Sequence, residues 1–129
     1  MNSLQKIEEI LKQYPDAQYK VGLNSIVVVP SENGFEVGIE LDSNSASVHF
    51  DGWHEEFEED EEAIDCFAFG LSDACRLRIL QRGKTDFKWI VESKENNEWK
   101  KDSETGLFFF PFWLPMKERI LQNHLFKAA

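Results

Sequence analysis

Four stretches of the chain place an apolar residue at every second position, and this period of two constrains the fold more than any other feature. Phe35, Val37, Ile39 and Leu41 alternate with Glu36 and Glu40; Ala46, Val48 and Phe50 alternate with Ser47 and His49. Cys75, Leu77 and Ile79 alternate with Arg76 and Arg78, and Phe87, Trp89 and Val91 form the fourth set. Such alternation sends one set of side chains to a core and the other to solvent, as in an antiparallel sheet with one wet face. Ser25 to Pro30 adds a β-branched run suited to burial on both faces. The joints carry turn residues. Asn33-Gly34 is a hairpin signal, Asp42 to Ser45 is a turn, and Arg82-Gly83-Lys84 turns between the last two sets. Asn96-Asn97 marks a further hairpin, with Glu98 to Asp102 as its returning strand.

Three segments have helical spacing instead. Leu4, Ile7, Leu11 and Tyr14 recur at three and four residues. Asn2 or Ser3 caps this helix, Gln5 sits where a capping box needs it, and Pro15 ends it. Phe57, Ile64, Phe67, Ala68 and Leu71 predict a second helix over 56–69, stopping near Gly70. Pro115 suits the first position of a last helix, with Ile120, Leu121, Leu125 and Phe126 as its apolar side. With 129 residues the chain reads as a single α+β domain over 1–129. The expectation is a mainly antiparallel sheet with an N-terminal helix, a central acidic-start helix and a C-terminal helix packed on one face.

The order α-β-β-β-α-β-β-α resembles the small acidic secretion chaperones, whose members are dimeric cytoplasmic proteins that bind an unfolded stretch of an effector. The resemblance covers most of the chain at the level of element order. The Asn96-Asn97 hairpin and the segment Phe108 to Trp113 depart from that plan.

Charge is concentrated in one place. Glu55, Glu56, Glu58, Glu59, Asp60, Glu61, Glu62 and Asp65 put eight carboxylates into eleven residues. The formal net charge is −10, and the remaining 14 basic and 16 acidic residues nearly cancel. No basic surface is available for nucleic acid or an anionic membrane, so neither is expected as a partner. The longest apolar run, Leu107 to Leu114, is too short to span a bilayer. The amphipathic N-terminus, with Glu8 and Glu9, does not read as a secretory leader. Cys66 and Cys75 fit neither a CxxC motif nor a zinc knuckle, so free thiols and a cytoplasmic setting are expected.

Carboxylates are favoured at a helix N-terminus, where unpaired N–H groups and the dipole are positive. Eight exceed what capping needs, so the run is either a solvated helix face or a surface for a basic protein, centred on Glu55, Glu58, Glu59, Glu61 and Glu62. His49, Asp51, His54, Glu55 and Glu58 lie close in sequence, but no HExxH or calcium-loop motif accompanies them, and no metal is expected. No glycine loop cradles a phosphate, and no cofactor is expected. Ser72 is not in a nucleophile elbow, and both cysteines fall on apolar faces, so no catalytic residue is assigned.

Two further surfaces are candidates. If the strands pair in one sheet, Glu36, Glu40, His49, Asp51, Arg76 and Arg78 share its outer face. Four of them, His49, Asp51, Arg76 and Arg78, form the ligand-binding alternative, with arginines suited to a carboxylate or phosphate. Phe108, Phe109, Phe110, Phe112 and Trp113 are too consecutive for alternation to hide them in one core. The last helix covers them, or another subunit does, or with Trp53, Trp89 and Trp99 they line a small-molecule pocket. The leading expectation is a small non-enzymatic interaction protein of a chaperone or immunity kind. It would hold a basic partner or itself through the acidic run and through Phe110, Phe112 and Trp113. A ligand-binding or enzymatic domain using the charged sheet face is the alternative. An interaction protein leaves aromatic surface exposed, whereas an enzyme encloses the four polar residues in one pocket.

Overall fold

A computed structural model describes residues 2–127. It is a mixed α+β fold with two helices and two antiparallel sheets. Helix α1 spans Ser3–Leu11. The Asn2 side-chain oxygen accepts from the Gln5 N–H, and the Gln5 side chain accepts from the Asn2 N–H, both at 2.9 Å. This is the capping box the sequence predicts, and it satisfies two otherwise orphaned donors. Five strands follow: β1 Gln18–Val21, β2 Ser25–Val29, β3 Val37–Leu41, β4 Ala46–Phe50 and β5 Trp53–Phe57. They form a meander in the order β1-β2-β3-β4-β5. Helix α2, Asp60–Leu71, leads to β6 Cys75–Arg82, β7 Thr85–Glu95, β8 Glu98–Gly106 and β9 Met116–Gln122. These make a second sheet in the order β8-β7-β6-β9.

The alternating sets bury as expected. Val37, Ile39, Ala46, Val48, Phe50, Cys75, Leu77, Ile79 and Val91 all enter one hydrophobic core with Ile7 and Leu11 of α1 and Ala63, Phe67 and Leu71 of α2. Both helices contact the five-stranded sheet. The core has one polar fastener that sequence pattern does not reveal. Buried Asn123 accepts from the Phe35 N–H at 3.1 Å and donates to the Phe35 carbonyl at 3.1 Å and the Gly70 carbonyl at 2.9 Å. It ties the chain after β9 to the approach to β3 and the end of α2. The Asn96-Asn97 turn is tight, with φ of 52° and 64°, the left-handed pair that a two-residue hairpin requires.

Three features depart from the sequence pattern. First, β1 forms where that pattern assigns no element, and its Tyr19 packs against the core. Second, the helix expected over 56–69 begins at Asp60, because Trp53–Phe57 pairs with β4 as β5. The turn between β4 and β5 uses Asp51 at φ 53°. This turns Trp53 inward to stack on Phe50 at 4.5 Å. Third, there is no C-terminal helix among the described residues. Met116–Gln122 lies along the open edge of β6 instead. A short helix gains little in isolation, whereas pairing with β6 satisfies a full edge of backbone donors and acceptors. Leu121 then packs on the core from β9, and Phe126 leaves the strand to meet Tyr14 at 4.9 Å. The element order is therefore not that of the secretion chaperones, since the described residues end on β9 rather than on a closing helix.

Candidate functional site

The chain crosses from β8 on one side of the second sheet to β9 on the other, passing the ends of β7 and β6. Few contacts pin this crossing. The Leu107 N–H donates to the Phe87 carbonyl at 2.8 Å, and Phe110 stacks on Phe87 with centroids 4.3 Å apart. Arg82 donates to the Leu114 carbonyl at 3.2 Å, and the Gly83 N–H donates to the Pro115 carbonyl at 3.3 Å. Local turns fix the remainder: the Phe112 N–H donates to the Phe110 carbonyl and the Leu114 N–H to the Pro111 carbonyl.

Phe110 is thus an anchor, and its neighbours are not. Phe108 is 90% exposed, Phe109 85%, Phe112 69% and Trp113 72%. Phe108 meets Phe109 edge-on at 5.0 Å, and Phe112 meets Trp113 edge-on at 5.3 Å. Residues 108–113 line a shallow hollow of about 540 Å³. Met116 and Ile120 of β9 are also about half exposed, on the strand that follows the crossing. The helix expected to cover these rings is β9, which does not cover them. The tryptophans do not join them either. Trp53 is in the core, Trp89 donates to Asp51 at 3.3 Å, and Trp99 lies under the Arg76 guanidinium at 4.5 Å.

The acidic run divides among three elements. Glu55 and Glu56 are on β5, Glu58 and Glu59 form the connection, and Asp60, Glu61 and Glu62 make the first turn of α2. Glu55, Glu58, Glu59, Glu61 and Glu62 are all exposed. Glu59 is the N-cap residue but makes no side-chain capping bond, so dipole attraction rather than a specific cap favours the first-turn charges. Burial, then Glu55, then Asp102 pushes the Cys66 thiol up to about 12. Burial likewise raises Cys75. Neither sulfur is a thiolate at neutral pH, which is the chemistry of core thiols.

The four residues of the ligand-binding alternative fall in three places. His49 lies on the outer face of the first sheet, with Nε2 3.0 Å from Glu36 Oε2. Its ring lies across Gly38, where an added Cβ would sit 2.1 Å from Cε1. Asp51 is in the β4–β5 turn, held by Trp89. Arg76 and Arg78 are on β6, in the other sheet. The expected shared face rested on one sheet, and the structure has two.

Arg76 and Arg78 instead converge on Glu92, a residue that sequence pattern did not single out. Arg76 Nε donates to Oε1 at 2.6 Å, and Arg78 Nη2 donates to Oε2 at 3.0 Å. The Glu92 side chain is 8% exposed, and Arg78 also reaches Glu118 at 3.8 Å. Both oxygens of the buried carboxylate are therefore occupied by its own chain. The Gly83 turn alone would set Arg76 opposite Val91. A bulge between Leu80 and Gln81 shifts the register by one and brings Glu92 opposite Arg76, which is why turn and spacing do not reveal the pair. Among the described residues, no group of three or more His, Cys, Asp or Glu side chains is arranged to hold a metal, and no helix is long and apolar enough to cross a membrane.

The chain matches no family model, no curated protein and no solved structure.

Proposed function

We propose that this is a small cytoplasmic, non-enzymatic interaction domain whose contact surface is the aromatic crossing between β8 and β9. The observation that carries this reading is the run of Phe108, Phe109, Phe112 and Trp113, all more than two-thirds exposed on one short segment. Contiguous apolar surface of this kind marks contact sites in folded proteins. Aromatic rings are the side chains that most often dominate binding energy there. The exposed carboxylates of the β5–α2 region add an electrostatic surface that speeds encounter with a basic protein partner and makes it salt-dependent. A chaperone or immunity role is the kind of work such a surface does. The alternative, a ligand site on the charged sheet face, has its four residues dispersed and its arginines already paired.

The test is chemical cross-linking of the full chain in lysate of its own source at low and moderate salt. Two variants accompany the wild type: Phe108→Ser/Phe109→Ser/Phe112→Ser/Trp113→Ser, and Glu58→Gln/Glu59→Gln/Glu61→Gln/Glu62→Gln. Circular dichroism should show both folded. The aromatic variant should lose its stoichiometric partner at either salt, with affinity falling by tenfold or more, on the order of 2 kcal/mol at a central ring. The Gln variant should lose only the salt dependence. Identical captures by all three proteins would refute the reading.

A further inference from the structure

We infer that the occupant of the aromatic strip is a second copy of this chain, joined through the free edge of β9 about a two-fold axis. This rests on the aromatic contact surface proposed above and names what fills it, which is distinct from the basic protein that the carboxylates attract. Four strands are sheet edges: β1, β5, β8 and β9. Short length and charge keep edges from pairing with other chains. β1 has four residues, β5 carries His54, Glu55 and Glu56, and β8 carries Lys100, Lys101, Asp102 and Glu104. β9 is different. It has seven residues and no proline. Two of its three charges are matched within the chain: Glu118 by Arg78 at 3.8 Å, and Arg119 by both oxygens of Asp86 at 2.8 and 2.9 Å.

A strand that pairs antiparallel with its own copy makes a closed, isologous contact and no filament. An axis through Glu118 sets Met116 opposite Ile120 of the second copy, twice. These are the two apolar residues that β9 leaves about half exposed, at 52% and 45%. They share the outer face with Glu118, because they pair with Arg82, Arg78 and Leu80 respectively in the order Met116, Ile120, Glu118. The two Glu118 side chains meet at the axis, each 3.8 Å from its own Arg78, and Lys117 falls opposite Arg119 of the second copy, whose charge its own Asp86 neutralises. These like-charge pairs oppose the contact, and the apolar pairs must outweigh them. The pairing spans Met116 to Ile120 only, because the Gln122 N–H already donates to the Asn33 carbonyl at 2.9 Å and the Leu114 N–H to the Pro111 carbonyl at 3.0 Å.

The exposed ring area approaches that of a standard interface at its upper limit. Aromatic side chains bury about 150–250 Å² each. At the exposures of Phe108, Phe109, Phe112 and Trp113, the strip holds roughly 500–800 Å² per copy, against the ~800 Å² per partner of a standard interface. A lipid surface would also accept the rings. It would leave the β9 edge unpaired, and a net charge of −10 disfavours an anionic bilayer.

Sedimentation of the full chain from about 1 to 100 μM, a range that separates weak from stable dimers, tests this alongside flotation with phospholipid vesicles. The wild type should be a dimer. Met116→Lys/Ile120→Lys should be a folded monomer over that range, with the dimer dissociation constant raised at least about tenfold. Met116→Cys/Ile120→Cys should give disulfide-linked dimers on mild oxidation, since the two positions are too far apart within one strand to bridge. A wild type that stays monomeric, or that floats with vesicles as a monomer, overturns the inference. So does a dimer that survives Met116→Lys/Ile120→Lys. If that dimer is lost in the four-ring serine variant, the strip remains a contact surface and only the β9 pairing falls.

Discussion

Replacing Glu92 with Gln separates a structural role for Arg76 and Arg78 from a ligand-binding one. The carboxylate accepts one charged hydrogen bond on each oxygen, at 2.6 and 3.0 Å. The amide of Glu92→Gln offers one acceptor and one NH2 group, so one guanidinium must face a donor. Hydrogen bonds to charged groups contribute about 1.5–3 kcal/mol, and removing one partner of a buried pair costs about 3–5 kcal/mol. Here Arg76 and Arg78 are 20% and 31% exposed and recover part of that loss from water. The expected destabilisation is therefore about 2 kcal/mol, or a fall of roughly 6–10 °C in Tm for a chain of this size. Urea unfolding should show a lower midpoint at unchanged slope. A loss below about 0.5 kcal/mol would refute the reasoning. The two arginines would then be solvated cations available to an anionic ligand.

Gly70→Ala tests the closest approach of α2 to the sheet. The new Cβ would lie 2.3 Å from Cε1 of Phe50, a ring that is fully buried and stacked on Trp53. Overpacking costs about 1–3 kcal/mol against about 1 kcal/mol of helix propensity gained. Net destabilisation in a denaturant titration is expected, and a more stable variant would contradict it. With its pKa at about 12, Cys66 should alkylate at pH 8 at least ~100-fold more slowly than a free cysteine, and at the free rate in urea; fast labelling of the native protein would place the thiol in solvent. The hydrogen bonds from Arg119 hold the Asp86 carboxyl below the ordinary aspartate value of 3.8. A depressed folded pKa contributes stability that is present above the unfolded pKa and lost as pH falls through the folded one. Asp86→Asn should therefore lower stability at neutral pH and flatten its fall below about pH 4. A pH–stability curve parallel to that of the wild type would show the pair to be inert.

The hairpins were legible because their code is local. Alternation from Phe35 to Leu41, from Ala46 to Phe50 and from Cys75 to Ile79 assigns faces, and Asn96-Asn97 and Gly83 supply the backbone their turns need. The capping box of α1 was legible for the same reason. What failed depended on distant partners. In Trp53–Phe57 only the two ends are apolar, and Glu55 occupies an inward position that remains exposed. The carboxylates downstream are genuine helix-start residues, so they drew the expected start four residues too early. Met116–Gln122 has charges in its middle and apolar residues at helix-compatible spacing. Only the vacant side of β6, some 40 residues upstream, makes it a strand. The shared charged face failed because alternation assigns a residue to a face but not to a sheet. His49 and Arg76 each point away from the core, and the core lies between two sheets.

The aromatic crossing is longer and more apolar than its connection requires. β8 and β9 are three strand spacings apart, about 14 Å. The nine residues of 107–115 reach about 30 Å when extended, roughly twice the need. One ring, Phe110 on Phe87, suffices to seat the segment on the sheet end. The remaining rings cross nothing, fill no cavity of their own chain and expose more apolar surface than a soluble monomer ordinarily tolerates. Folding therefore does not account for Phe108, Phe109, Phe112 and Trp113. Serine at all four positions should leave the unfolding free energy within about 1 kcal/mol of the wild type at concentrations where the chain is monomeric. At higher concentrations the wild type alone should gain stability with concentration, because association with a copy adds to folding by mass action. Equal stabilities across the whole range would remove the strip from any contact with a second copy. A large loss for the dilute variant would make the rings part of the fold after all.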